Sequence, residues 1–166
     1  MEFSKNYYPL NAFRICADKI EDDVEGRIFC PLNGEEIRFC GMTELLVIMD
    51  EVFDRAGYPQ AFQDKRSFEQ MKERRNLYRG IPKSVMAPEA IIMQKGKHIT
   101  FDVLVHSRKN TSWQGEIYDE DGSLLVNFDG EIQLMTAIEK YVSRVHLQLF
   151  LMRGMYIHLL VHKRKH

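Results

Sequence analysis

Apolar and polar positions alternate through Arg27-Ile28-Phe29-Cys30 and again through Glu36-Ile37-Arg38-Phe39. Successive strand residues point to opposite faces, so each run reads as a half-buried strand. Asn33-Gly34 between them predicts a type I′ hairpin, whose two central positions both take positive φ. In that register Ile28 sits opposite Phe39, and Ile28, Cys30, Ile37 and Phe39 share one face. The period then changes. Leu45, Ile48, Met49 and Val52 fall at i, i+3, i+4 and i+7, the apolar stripe of a helix. Gly57 followed by Pro59 is a stop signal for it. A further strand is predicted before the hairpin, over residues 12–17.

The same pattern returns 89 residues later without a gap. Gly26 aligns with Gly115, Ile28 with Ile117, Phe29 with Tyr118, Phe39 with Phe128, Gly41 with Gly130 and Leu45 with Leu134. Phe13-Arg14-Ile15 aligns with Phe101-Asp102-Val103 if one residue of slack is allowed. Gly122-Ser123 suits a type II′ turn, with Asp121-Gly122 as the competing choice that would slip the register. Ile117 then faces Phe128. Leu134, Ile138, Tyr141, Val142 and Val145 form the second helical stripe, with Asp129 as its N-cap. The expected fold is therefore α+β: two β-β-β-α repeats forming a mainly antiparallel sheet, with helices packed on one face.

A chain of 166 residues is expected to be one domain. Repeat 1 spans about 10–57, a basic connecting segment 58–97, repeat 2 about 98–142, and an apolar, basic tail 143–166. Ser67 and Gln70 make a capping-box pattern that predicts a helix over 68–77. Residues 83–93 give no clear period. The tail reads as a continued helix, because Met, Leu and Gln are good helix formers, although Arg153-Gly154 would also suit a hairpin turn.

Composition narrows the classes. Hydrophobic content of 45% and charged content of 28% are those of a globular chain. The start Met1-Glu2-Phe3-Ser4 is not a basic-then-apolar leader, and 145–161 is interrupted by His146, Gln148, Arg153, Gly154 and His158. No membrane span and a cytoplasmic location are expected. Three cysteines (Cys16, Cys30 and Cys40) are too few and too odd for a disulfide framework. The charge is polarised: residues 1–139 carry 17 basic against 24 acidic residues, and 140–166 carry six basic and none acidic. Such asymmetry marks an interaction tail.

Most chemistry-bearing residues have an ordinary structural reading. His158 and His162 share a helix face, with His166 beyond, but no acidic residue lies in the tail to complete a metal site. No metal, cofactor or catalytic residue is assigned. Neither GxxxxGK[ST] nor GxGxxG occurs. Arg75-x-x-x-Arg79 resembles half of the cyclic-dinucleotide motif of PilZ domains, and the other half does not follow. Leu77-Tyr78-Arg79-Gly80 resembles a strand of ADP-ribosyltransferases, whose later acidic motif is missing. The strongest local signal is the basic, aromatic-interleaved segment 65–83. Lys65, Arg66, Lys72, Arg74, Arg75, Tyr78 and Arg79 there would suit a polyanion or partner, and Trp113, the single tryptophan, either anchors a partner or plugs the core.

Residues 99–142, with Asn110-x-Ser112-Trp113-Gln114-Gly115, Asn127-Phe128 and Leu134-Met135, resemble short bacterial proteins. Those proteins carry a Trp-Gln-Gly hairpin, an Asn-Phe strand and an amphipathic helix. The resemblance implies a bacterial, cytoplasmic origin and carries no particular activity over to this chain. Three readings follow. The first is a non-enzymatic binding or protein-interaction module, regulatory or accessory, with a protein partner or a second copy held by the C-terminal apolar segment. The second is a nucleic-acid binder using 65–83 and the tail. The third is a small-molecule sensor or enzyme with a pocket between the repeats.

Overall fold

The computed structural model describes residues 3–59, 80–108 and 112–163. The elements run β1 (Ala12–Lys19), β2 (Glu25–Phe29), β3 (Ile37–Cys40), α1 (Met42–Ala56), α2 (Pro88–Ile92), β4 (Ile99–Ser107), β5 (Gln114–Asp119), β6 (Leu124–Phe128) and α3 (Glu131–Lys163). The six strands form one antiparallel sheet in the order β3-β2-β1-β4-β5-β6. The fold is α+β, with β1 and β4 at its centre. The helix predicted over 68–77 lies outside the described residues.

Alternation along the central strands builds two cores. Phe13, Ile15 and Ala17 of β1 and Phe101, Val103 and Val105 of β4 face one way. They meet Leu45, Met49, Val52 and Phe53 of α1 and Leu134, Ile138 and Val142 of α3. The residues between them face the other way. There Ala12, Cys16 and Leu104 pack with Tyr8, Phe29, Tyr118 and Ile91. The expectation that helices lie on one face is thus corrected. The long helices share a face, and short α2 covers the other, because the second face of the central strands is itself apolar. Residues 83–93, ambiguous in sequence, contain α2, which begins with Pro88 in the first turn where no N–H is required.

Both hairpin registers differ from expectation by two residues. Ile28 pairs with Ile37, not Phe39, and Gly26 pairs with Phe39. Ile117 pairs with Val126, and Gly115 with Phe128. Gly34 does not take a positive φ. The chain turns earlier, with Asn33 N–H donating to Cys30 O at 3.3 Å around Pro31-Leu32. Proline fixes φ for the first central position of such a turn, which here outweighs the Asn-Gly preference. In the second hairpin Gly122 has φ 82, and Asp119 N–H donates to Ser123 O at 2.9 Å. This is a turn closed by a left-handed glycine rather than a type II′ turn. In the first hairpin a shift of two leaves each side chain on its predicted face, so Ile28, Cys30, Ile37 and Phe39 still point to one core. In the second, Ile117 and Phe128 are buried as predicted, but Leu124 and Val126, expected on the same face, are exposed.

The two glycines opposite phenylalanines are required by packing. A Cβ on Gly115 would stand 2.0 Å from Leu104 O and 2.6 Å from Phe128 Cζ, and one on Gly26 would stand 2.1 Å from Cys16 O. At Gly115 the Phe128 ring and the Leu104 carbonyl occupy the space that a side chain would need, and at Gly26 the β1 backbone at Cys16 and Ala17 does.

Gly57 ends α1 as predicted, in the left-handed conformation with φ 65, its N–H on Phe53 O at 2.8 Å. Asp129 does not cap α3. Leu134 N–H bonds Gly130 O at 3.0 Å, and Asp129 N–H is itself held by Gln133 Oε1 at 2.9 Å. Cys40 N–H is held likewise by Glu44 Oε2 at 2.6 Å at the start of α1. In both, the third helical residue reaches back to the N–H just before the glycine cap, one residue further than in a capping box. α3 runs unbroken through Arg153-Gly154, so the tail is helix and not hairpin. At 33 residues it is about 50 Å long, against about 22 Å for α1.

Candidate interaction surface

Three places gather charge or exposed apolar surface. The first is buried. On the α2 side of the sheet, Arg14 and Asp102 lie opposite one another across β1 and β4. Arg14 Nε donates to Asp102 Oδ1 at 3.0 Å and Nη2 to Oδ2 at 2.9 Å. Tyr8 OH donates to Oδ1 at 2.6 Å, and Arg14 Nη1 donates to Ile92 O. Burial raises the Asp102 carboxyl above its usual range, with Arg14 and Tyr8 pulling it back. Burial alone would lower the Arg14 guanidinium; hydrogen bonds and charge from Asp102 carry it upward instead. Burial and Asp102 together push the Tyr8 hydroxyl well up. The bidentate geometry and three satisfied donors describe an intact ion pair. It fills the seam between β1 and β4.

The second place is an open groove of about 1010 Å³ beside β1–β3, lined by Asp18, Arg27, Glu36, Arg38, Lys97 and His98. Much of the charge at its rim is paired. Arg27 binds Asp18 at 2.8 Å and Arg38 binds Glu36 at 3.2 Å. Lys19 binds Glu25 at 2.7 Å on the same rim.

The third place is the outer face of the layer formed by α1 and α3. Leu134, Ile138, Val142, Val145 and Leu149 of α3 pack against the sheet. The opposite side of the same helix exposes Leu147 (60%), Phe150 (69%) and Leu151 (56%) beside Lys140 and Arg144. Ile132 is 80% exposed near its start. α1 likewise exposes Val47, at 51%, between Glu44, Glu51 and Asp54. An apolar row of this kind rimmed by charge is the mark of an association surface.

Arg108, only 5% exposed, anchors α1 to the end of β4. It binds Asp50 at 2.5 Å and Asp54 at 2.6 Å and lies 5.5 Å over the Phe53 ring.

The sequence-predicted residues fare differently. Lys65, Arg66, Lys72, Arg74, Arg75, Tyr78 and Arg79 lie outside the described residues. Trp113 is 4% exposed and sits edge-on to Phe53 at 5.8 Å, the core-plug alternative of the two that the sequence offers. Cys16 and Cys30 are buried, and burial pushes their thiols up to about 12 and about 11. Cys40 is exposed. Among the described residues, no three His, Cys, Asp or Glu side chains are grouped to hold a metal ion, and no helix is long and apolar enough to cross a membrane.

The apolar C-terminal segment that carries the outer stripe of α3 stands out in the sequence, whereas the outer stripe of α1 does not. The available signal was a second row two positions after each buried row, apolar at Val47, Leu147 and Leu151 where a solvated face is polar. Comparison with known proteins leaves the surface to be argued from its own chemistry, since no family model, curated protein or solved structure matches the chain.

Proposed function

We propose that the chain is a non-enzymatic protein-interaction module, regulatory or accessory in role, whose contact surface is the outer face of α1 and α3. The carrying observation is the exposed row Leu147, Phe150 and Leu151 on the side of α3 turned away from the sheet. Leaving three large apolar side chains in water forfeits roughly 1.5–3 kcal/mol each relative to burial. A partner that covers them recovers part of that. The polarised charge supports the same reading, because basic residues gather on the helix that carries the row.

The test is capture from host lysate, with and without nuclease, by wild type and by Leu147→Glu/Phe150→Glu/Leu151→Glu. A nuclease-resistant protein bound by wild type and lost from the folded triple variant is the expected result. Equal capture by both forms removes this surface from consideration. Recovery of nucleic acid alone, lost on nuclease treatment, replaces the reading with binding of nucleic acid by the basic segment 65–83 and the tail.

We also infer that the two hairpin-helix units are copies of one ancestral unit. Three observations support this. The strand order reads the same from either edge. The shifted registers keep the offset of 89, Ile28–Ile37 against Ile117–Val126. Arg14 and Asp102, aligned in sequence, pair at the centre of the sheet. Equivalent positions should then respond alike to substitution, as the glycine pair below tests.

A further inference from the structure

We propose that the partner of the helical face is a second copy of the chain, with α3 of each copy laid antiparallel on α1 of the other. This rests on the reading of that face as an interaction surface. Two stripes carry it. On α1, Glu44, Val47, Glu51 and Asp54 recur at i, i+3, i+7 and i+10, and all are exposed. On α3, Lys140, Arg144, Leu147 and Leu151 recur at i, i+4, i+7 and i+11, and all are exposed. Each stripe stands two residues beyond a buried row: Met42, Leu45, Met49 and Val52 in α1, and Ile138, Val142, Val145 and Leu149 in α3. Two residues turn a helix by about 200°, so both stripes point directly away from the sheet.

Three of the four positions are complementary when the stripes run in opposite directions; the fourth sets Glu44, whose carboxylate is turned back to the Cys40 N–H, beside Leu151. With Val47 placed against Leu147, Glu51 meets Arg144 and Asp54 meets Lys140. Seven residues separate the end members on each helix, about 10.5 Å in both, and the middle pair agrees within one residue of rise. Lys140 and Arg144 are like charges at i, i+4, which repel on their own helix. Docking on α1 supplies their counterions. α1 carries Glu44, Asp50, Glu51 and Asp54 toward this side against Arg55 and the guanidinium of Arg108, so its face stays net acidic with Arg108 in place. Phe150, one position from Leu147 around the helix, widens the apolar centre. Because both stripes belong to one layer of one chain, a two-fold axis makes the contact twice, and the interface closes without leaving a free copy of it.

The experiment is sedimentation equilibrium of the full chain, comparing wild type with Glu51→Lys, Arg144→Glu and the double variant Glu51→Lys/Arg144→Glu. Far-UV circular dichroism confirms that each is folded. Wild type is expected to be a dimer. Each single reversal turns two symmetric attractions into repulsions and weakens the dimer about tenfold or more. The double reversal restores affinity to within about threefold of wild type. Should a variant fail to fold, wild-type affinity must still fall as sodium chloride rises tenfold from roughly the physiological range, where the Debye length shrinks below about 8 Å. A wild type that stays monomeric at about 100 μM, well above the micromolar range of a modest interface, overturns the proposal. Folded single variants that dimerise like wild type, or a double variant no better than the singles, overturn it too. A monomeric wild type that still captures a foreign protein through Leu147, Phe150 and Leu151 sinks the self-pairing alone and leaves the module reading standing.

Discussion

Removing the charge of Asp102 should destabilise this fold more than removing the whole ion pair. Arg14 and Asp102 are 2% and 0% exposed and joined by two hydrogen bonds. Asp102→Asn keeps the shape but leaves a guanidinium in the interior without a counter-charge. Breaking a buried pair in this way costs about 3–5 kcal/mol. A chain with roughly 5–15 kcal/mol of total stability loses a fifth or more of it. In Tyr8→Phe/Arg14→Met/Asp102→Leu the charges and the hydroxyl that depend on one another all disappear. Such apolar replacements are often neutral or stabilising. The remaining cost is the Ile92 carbonyl, which loses the donor Nη1. One orphaned buried acceptor costs about 1–3 kcal/mol. The triple variant should therefore lie about 1–2 kcal/mol below wild type, and above Asp102→Asn. Urea unfolding at pH 7, followed by circular dichroism and Trp113 fluorescence, reads both. An Asp102→Asn loss under about 1 kcal/mol would mean that water or a shifted side chain reaches Arg14, against the burial described. A triple variant less stable than Asp102→Asn would show that the pair contributes net attraction and would refute the reasoning.

Gly26→Ala and Gly115→Ala should each cost about 1–3 kcal/mol, and by similar amounts, since each Cβ meets a neighbouring carbonyl oxygen at 2.1 and 2.0 Å; thermal unfolding that separates them widely would count against the shared unit. Iodoacetamide should label Cys40 rapidly in the native protein and reach Cys16 and Cys30 only on unfolding, because burial holds those two thiols protonated; fast native labelling of Cys16, read by mass spectrometry, would contradict the packing of the second core. Tyr118 OH, and then His106 Nε2 at 3.1 Å, hold the Glu116 carboxyl below its usual value. A depressed carboxyl adds stability that is present above the unfolded pKa of about 4.3 and is lost as pH falls through the folded value. Glu116→Gln should therefore flatten the fall of stability on acidification below that pH, and an unchanged slope in denaturant titrations at stepped pH would remove the assignment.

Periodicity was enough to place the strands, the two long helices and their buried faces, except in β6, where Leu124 and Val126 are exposed. Ile28, Phe39, Ile117 and Phe128 point to the predicted core despite registers two residues away. Period 2 explains both facts: a slip of two changes the partner without changing the face. Which partner Ile28 takes depended on a competition between Pro31-Leu32 and Asn33-Gly34 as turns, and local preferences there lie too close to decide it. The Arg14–Asp102 pair spans 88 residues and is visible in sequence only as two charges inside apolar strands. Only the adjacency of β1 and β4 shows that each is the other's partner. Trp113 is similar: its burial depends on Phe53, which arrives from α1. The candidate surface lies between these cases. Its residues are written in the stripes of α1 and α3, but their common outward direction exists only once the sheet has fixed which side of each helix is buried. Side-chain direction follows from a local period, whereas contact between distant segments follows from how the chain closes on itself, and no window of sequence contains that.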